Sequence, residues 1–201
     1  GLIVHSKHAG RLLRTWYGSK IAEKYTLVPF LKDSTFRNVD GKKPRHIQSD
    51  TVICSFGHLG PGKMNLKLFD AWAHSISDQS VLVFVGPDGD KDYAQELKQK
   101  ASDSGKSNKV IFTGWVSDKE YQYWLQVATF AVQLRIFSRG ETSASLFDCF
   151  SNGVPAIVNA HGDMADFPDN VVYKIKGNSV IPELIYAMEL MVESPEFREN
   201  L

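Results

Sequence analysis

From Thr51 onward the chain alternates short, almost uninterrupted apolar runs with stretches of helical period, and this alternation constrains the fold more than any other feature. The runs "TVICSF", "SVLVFVG", "KVIFTG", "TFAVQLR" and "VPAIVN" read as strands, and "NLKLFDAWAHSI", "KDYAQELKQKAS", "DKEYQYWLQV" and "ASLFDCFSNG" between them read as helices. Val/Ile/Phe runs without polar alternation are what strands buried on both faces require, and strand-helix-strand crossovers lay helices over those faces. The expectation is an α/β domain on a doubly wound parallel sheet. A weaker strand at "NVVYKI" and a helix from Ile181 to about Ser194 complete it.

Before this region, "LIVHS" reads as a strand and "KHAGRLLRTWYG" as a helix with Ala9, Leu12, Leu13, Trp16 and Tyr17 on one face and Gly18 as its stop. "YTLVPF" reads as a second strand. The stretch from Lys32 to Asp50 loses all periodicity and has linker composition, polar with Gly and Pro. The chain therefore divides into residues 1–33, a linker at 34–50, and a main domain at 51–201. Trp16, Tyr17, Trp72 and Trp124 fall at apolar helical spacings and are expected in the core. Cys54 and Cys149 lie far apart in apolar surroundings and are expected as reduced core residues.

Composition fits an ordinary globular chain: 43% of the 201 residues are hydrophobic and the charges divide 23 against 23. No run of eighteen apolar residues and no signal-like start is present, so the expected location is the cytoplasm; the missing initial Met suggests a piece of a longer protein. Residues 1–50 carry ten Lys or Arg against four acidic residues, and the remainder thirteen against nineteen. That asymmetry fits either a basic surface near phospholipid or another polyanion, or simply a solvated helix face.

In a doubly wound sheet, ligands bind at the carboxyl ends of the strands. The loops there are "GHLGPGKM", "GPDGD", "GWVSDKE", "RIFSRGETSAS" and "AHGDMAD". The first nearly matches the phosphate loop of nucleotide hydrolases, but Met64 stands where Ser or Thr would hold Mg²⁺. "GPDGD" reads as a strand-ending turn. The fourth loop places Gly140, Thr142, Ser143 and Ser145 at a helix entrance, where free N–H groups favour an anion, with Arg139 beside them. Asp148 lies farther into that helix, where a carboxylate suits the vicinal hydroxyls of a sugar. The simpler alternative makes Thr142 or Ser143 an N-cap and Asp148 a surface charge. His5 and His8 read as surface or interdomain residues, with contact to a donor or acceptor as the alternative.

Taken together, "FGHLGPGKMNLKLFDAW", "VIFTGWVSDKEYQYWLQVA" and "RGETSASLFDCFSNGVPAIVNAHGDMAD" resemble successive motifs of the retaining GT-B glycosyltransferases of the "group 1" family, particularly bacterial members with an "RGETS" loop. The resemblance covers about residues 50–195, and residues 1–30 resemble the end of that family's N-terminal domain. It implies a Rossmann-like fold, the C-terminal donor-binding half of a GT-B enzyme, and a final segment that crosses back toward the N-terminal domain. The implied reaction moves a sugar from a nucleotide-diphospho-sugar to a glycan or lipid-linked acceptor, with retention at the anomeric carbon and no metal or cofactor. Peripheral membrane association is compatible with this reading, at the inner face of the membrane; nucleic acid is not an implied partner. A nucleotide-sugar epimerase or a non-catalytic binder on the same fold stays open.

The resemblance also implies residue roles. Lys63 matches the lysine that neutralises the donor diphosphate, while His58 stands where an arginine is usual. Arg135 and Arg139 are the candidates for the missing charge, with a protonated His58 as the alternative. Asp148 matches the second of two spaced glutamates, the one on the ribose, shortened by one methylene. Gly140 occupies the position of the first, and Glu141 is displaced by one. Gly57 and the segment Gly140 to Ser143 would wrap phosphates and sugar; the backbone at Trp115 and Val116 corresponds to the base-contacting segment. Lys63, Arg139 and Glu141 are the expected catalytic residues. Asp166 lies at a position often acidic in relatives, without an assigned role.

Overall fold

A computed structural model describes residues 1–32, 49–177 and 179–201 of the chain. Most of the expected linker lies outside the described residues. The N-terminal segment forms β1 (Leu2–Val4), α1 (Lys7–Tyr17), α2 (Ser19–Ala22) and β2 (Tyr25–Leu27), and the two strands pair in parallel. Ser6 caps α1 through its side chain, which accepts from the N–H of Ala9, and Gly18 ends the helix at φ 79°. Gly10 is required where α1 crosses β2, since a Cβ there would lie 2.5 Å from the Tyr25 hydroxyl.

The main domain continues with β3 (Thr51–Phe56), α3 (Asn65–His74), β4 (Ser80–Val85), α4 (Lys91–Asp103), β5 (Val110–Phe112), α5 (Asp118–Val127), β6 (Phe130–Gln133), α6 (Ala144–Ser151), β7 (Ala156–Asn159), β8 (Tyr173–Ile175), α7 (Val180–Glu193) and α8 (Pro195–Glu199). Its six strands pair in the order β5-β4-β3-β6-β7-β8, all in parallel. Successive residues of each strand face opposite sides, and the core divides accordingly. Ile53, Leu82, Phe84, Val132 and Ile157 meet Leu68 and Trp72 of α3, Leu97 of α4, and Leu184 and Met188 of α7. Val52, Cys54, Val83, Ala131 and Val158 meet Trp124 of α5 and Leu146 and Cys149 of α6. Burial on both faces is the reason these strands tolerate no polar alternation.

Both cysteines are buried and free, as expected. Trp72 is fully buried, its indole N–H donating to Ser80 Oγ at 2.8 Å, and Trp124 is 8% exposed. Trp16 and Tyr17 are not in the core: they are 55% and 60% exposed. The two three-residue strands behind α1 offer too little surface to cover the whole apolar face of an eleven-residue helix. The expected final helix is α7, which packs against α3 and β8 as part of the domain's own core, and α8 follows it separately. Among the described residues, no helix is long and apolar enough to cross a membrane.

Candidate functional site

Reading outward from the first strand of the sheet, β3, the chain runs one way to β4 and β5 and the other way to β6, β7 and β8. The order therefore reverses between β3 and β6, and the crevice at such a switch point is where doubly wound sheets hold ligands. The loops after β3 and β6 meet there: the Ile136 N–H donates to the Gly62 carbonyl at 3.1 Å.

The β3 loop is shaped by its glycines and its lysine. Gly57 has φ 115°, and a Cβ on it would lie 2.9 Å from Lys63 Nζ, so the missing side chain makes room for the ammonium group. Pro61–Lys63 forms a 3-10 turn, followed by Met64 at φ 54° and ψ 31°, the only non-glycine with positive φ among the described residues. Met64 is buried, so packing holds this strained backbone in place. Asn65 closes the loop by accepting the Gly60 N–H at 3.1 Å. "GPDGD" does more than end a strand. The Gly89 and Asp90 N–H groups donate to the Leu59 carbonyl, each at 3.0 Å, and a Cβ on Gly89 would meet the His58 ring at 2.6 Å.

Electrostatics set this loop apart. Lys63 has no carboxylate within ion-pair distance among the described residues, and burial, then the Arg135 guanidinium, lower its ammonium to about 7. Burial, then Lys63 and Arg135, also push His58 below its ordinary value, so the imidazole is neutral near pH 7. The protonated His58 considered from sequence is thus disfavoured in the unliganded protein.

The β6 loop supplies Arg135. Asn159 of β7 fixes its backbone, accepting the Arg135 N–H at 2.8 Å and donating to its carbonyl at 2.7 Å, and its guanidinium donates to Ser143 Oγ at 3.2 Å. Ser143 occupies the N-cap position of α6 without capping it through its side chain, and its N–H donates instead to Asp163 Oδ2 at 3.3 Å. Burial raises the Asp163 carboxyl, opposed by that N–H and by Arg135. Arg139 is placed differently: its guanidinium lies over the exposed Phe137 ring, 5.7 Å from the centroid, and its backbone N–H donates to Glu141 Oε2 at 2.6 Å. Of the two arginines, Arg135 is the one whose charge acts on Lys63. Gly140, at φ 97°, lies against Ala9 and Leu12 of α1, and Arg11 of α1 pairs with Asp166 at 2.9 Å, which gives Asp166 a tethering contact.

Next to the cationic pair opens a cleft of about 490 Å³ lined by Lys32, Gly57, Gly86, Trp115, Val116, Gln122 and Asp148, among others, a volume typical of small-molecule sites. Trp115 is 84% exposed at its rim. Asp148 is buried, with Lys32 Nζ 2.6 Å from Oδ1 and the Tyr121 hydroxyl donating to Oδ2 at 3.1 Å. Thr142 Oγ1, His8 Nε2 and Gln122 Oε1 are buried without a partner among the described residues. His5 is held locally, its Nδ1 2.9 Å from the Val28 carbonyl oxygen.

The structure thus gathers Gly57, His58, Lys63, Arg135 and Ser143 at the switch point, and Trp115, Val116 and Asp148 along the adjoining cleft. Sequence reasoning missed Lys32, Tyr121 and Asp163. Asp163 lies in a loop already singled out, three residues before Asp166. The other two carry no local signal.

A parallel sheet with this strand order, and a cationic crevice at its reversal, defines a Rossmann-like α/β domain. Residues 37–201 match the model of the family "Glycosyl transferases group 1", and the chain belongs to that family. No functionally curated protein is significantly similar in sequence. Among solved structures, the C-terminal domain of LpcC, a glycosyl transferase group 1 family protein of Francisella tularensis, superimposes with TM-score 0.68 at 16% identity, over 77% of this chain and 81% of that one. HepE of Anabaena in complex with UDP-glucose matches with TM-score 0.79 at 18% identity, over 98% of this chain and 56% of that one. A glycosyltransferase of Rickettsia africae matches with TM-score 0.82 at 11% identity, over 98% of this chain and 55% of that one. The fold is that of GT-B glycosyltransferase domains, and the chain spans little more than half the length of the last two proteins.

Proposed function

We propose that this chain is the donor-binding part of a retaining glycosyltransferase that takes a sugar from a nucleotide-diphospho-sugar without a metal ion. The observation that carries the proposal is the pair Lys63 and Arg135 at the switch point. Their charges press on each other, and the Lys63 ammonium has no carboxylate within ion-pair distance among the described residues. A diphosphate in the crevice would relieve both. Gly57 and the N–H groups of Glu141 and Thr142 would approach the same phosphates, those of Gly140 and Ser143 being donated to Ser138 Oγ and Asp163 Oδ2, and the cleft toward Asp148 and Trp115 would take the nucleoside.

In the transfer, charge grows on the departing diphosphate while the sugar becomes oxocarbenium-like. Fixed cations aimed at the leaving group lower that barrier in a site that excludes water. Lys63 and Arg135 would carry this role, with Glu141 and the exposed Arg139 near the transferring sugar. The acceptor hydroxyl would enter on the leaving-group face, with a diphosphate oxygen taking its proton. We read residues 1–33 as the tail of an acceptor-binding domain and the acceptor as a glycan or lipid-linked glycan. The exposed Trp16 and Tyr17 of α1 and the basic bias of residues 1–50 fit an approach to anionic lipid, which salt-sensitive binding to anionic vesicles would test.

A thermal-shift panel of UDP-, GDP-, ADP- and dTDP-sugars tests the central reading, since a ligand bound to the native state raises the apparent melting temperature. One nucleotide class is expected to stabilise, and the HepE complex makes UDP the first to try. A flat response across the panel would overturn the proposal.

A further inference from the structure

We propose that Lys32, Tyr121 and Asp148 form a three-membered clamp that positions the Asp148 carboxylate for the vicinal diol of a ribose, with Lys32 supplied by the N-terminal segment. The inference rests on the nucleotide reading above and extends it to two residues outside the loop motifs.

An ionised carboxylate offers about four lone-pair sites, two on each oxygen. Lys32 takes one on Oδ1 at 2.6 Å, and the Tyr121 hydroxyl takes one on Oδ2 at 3.1 Å. One site is left on each oxygen, which is the pattern two adjacent hydroxyls require. All three side chains line the same cleft, beside Gly57 and Gly86. The clamp is itself held. The Tyr121 ring packs edge-on against Phe56, with centroids 5.3 Å apart, and Asn152 Nδ2 donates to the Asp148 carbonyl at 2.8 Å. Burial, then the nearby Asp148 charge, raise the Tyr121 phenol, so it remains a neutral donor.

The clamp answers a geometric problem. An aspartate is one methylene shorter than the glutamate it replaces in the motif, and so has less reach to correct a misplaced carboxylate. Contacts on both oxygens fix the plane of the group where the side chain cannot adjust. Lys32 and Tyr121 are therefore positioning residues, acting on the ligand through Asp148.

The test is the ratio of ribonucleotide to 2′-deoxynucleotide affinity, measured by calorimetry with UDP, GDP and ADP against their 2′-deoxy counterparts. Any change in the general attraction for phosphate cancels in this ratio. The wild-type protein is expected to prefer the ribonucleotide. Lys32→Met and Tyr121→Phe should each shrink that preference about three- to tenfold, the range of one lost hydrogen bond, and Lys32→Arg should restore most of it. A merely structural Lys32 would change the melting temperature and leave the ratio unmoved. A wild-type ratio near one, an unchanged ratio in both variants, or tighter ribonucleotide binding by Lys32→Met would overturn the clamp, the last because Lys32 would then compete with the diol. If none of the three ribonucleotides binds, the clamp falls, and the nucleotide reading itself fails if dTDP is silent as well.

Discussion

At the β3–β6 end of the crevice two half-buried cations, Lys63 and Arg135, act on each other; Arg135 also feels the Asp163 and Glu141 carboxylates, and the lysine has no carboxylate within ion-pair distance among the described residues. At the cleft end the buried carboxylate of Asp148 already has one partner on each oxygen, Lys32 and Tyr121. The first arrangement leaves the Lys63 charge without a carboxylate partner among the described residues, and the second pairs its charges directly. On the proposed function, a ligand would gain most of its affinity at Lys63, where charge is unpaired, and would be selected by shape and hydrogen bonding at the Asp148 end. The two ends should respond differently to mutation, pH and salt.

The largest expected effect breaks the charged end directly. Lys63→Ala should weaken binding of a nucleoside diphosphate by about 2–4 kcal/mol, roughly 30- to 1000-fold, as loss of a desolvated charge partner does. Calorimetry on the variant gives the answer, and unchanged affinity would remove Lys63 from the diphosphate site.

The same lysine predicts a pH dependence that the cleft end should lack. With its ammonium lowered to about 7, Lys63 is largely protonated at pH 6 and largely neutral at pH 8.5 in the unliganded protein. A diphosphate binds the protonated form, so affinity should fall as pH rises above 7, by up to about tenfold per unit. Binding near pH 7.5 should take up a proton, visible as a dependence of the calorimetric heat on buffer ionisation enthalpy. A profile flat from pH 6.5 to 8.5 would show that Lys63 is not the ligand's partner.

Stability should follow from the same imbalance, with the sign reversed from ordinary ion pairs. The folded value lies below the unfolded one, so between about pH 7 and 10.5 the unfolded chain binds more protons and stability rises with pH. Below about 7 the cost of the buried ammonium is fully present. Lys63→Met should accordingly stabilise the protein by about 1–2 kcal/mol at pH 6, a few degrees in melting temperature for a domain of this size, with the gain fading as pH rises. A variant that melts lower at pH 6 than the wild type would contradict the picture of an uncompensated charge.

The two ends were unequally legible in the sequence. Lys63 and its glycines were readable because the chemistry sits in one loop with a recognisable spacing, and the sheet was readable because Ile53, Val83 or Val132 leave no alternative to burial on both faces. Asp148 was readable by its place in a motif, but its partners were not. Lys32 lies 116 residues away across the expected linker, and nothing local in "VPFLK" marks a residue that will reach a carboxylate. Arg135 and Arg139 were equivalent candidates until the Asn159 clasp turned one inward and the Phe137 ring held the other outside. Trp16 and Tyr17 were misjudged for a related reason: helical periodicity says which face is apolar, and only the surface behind that face decides whether it is covered.

The smallest expected effect tests whether the charged end is as compact as described. By its resemblance to the family pattern His58 is expected where an arginine is usual, yet burial, Lys63 and Arg135 together hold its imidazole below the ordinary value, and its ring lies against Gly89. A neutral imidazole contributes one uncharged hydrogen bond at most, so His58→Ala should cost about 0.5–1.5 kcal/mol of diphosphate affinity, well short of Lys63→Ala. Its cost should also be nearly independent of pH across the range where Lys63 titrates. If His58→Ala proves as damaging as Lys63→Ala, and most damaging at low pH, then bound phosphate protonates the imidazole. The charged end would then comprise three cations that assemble only around the ligand, in place of two that wait for it.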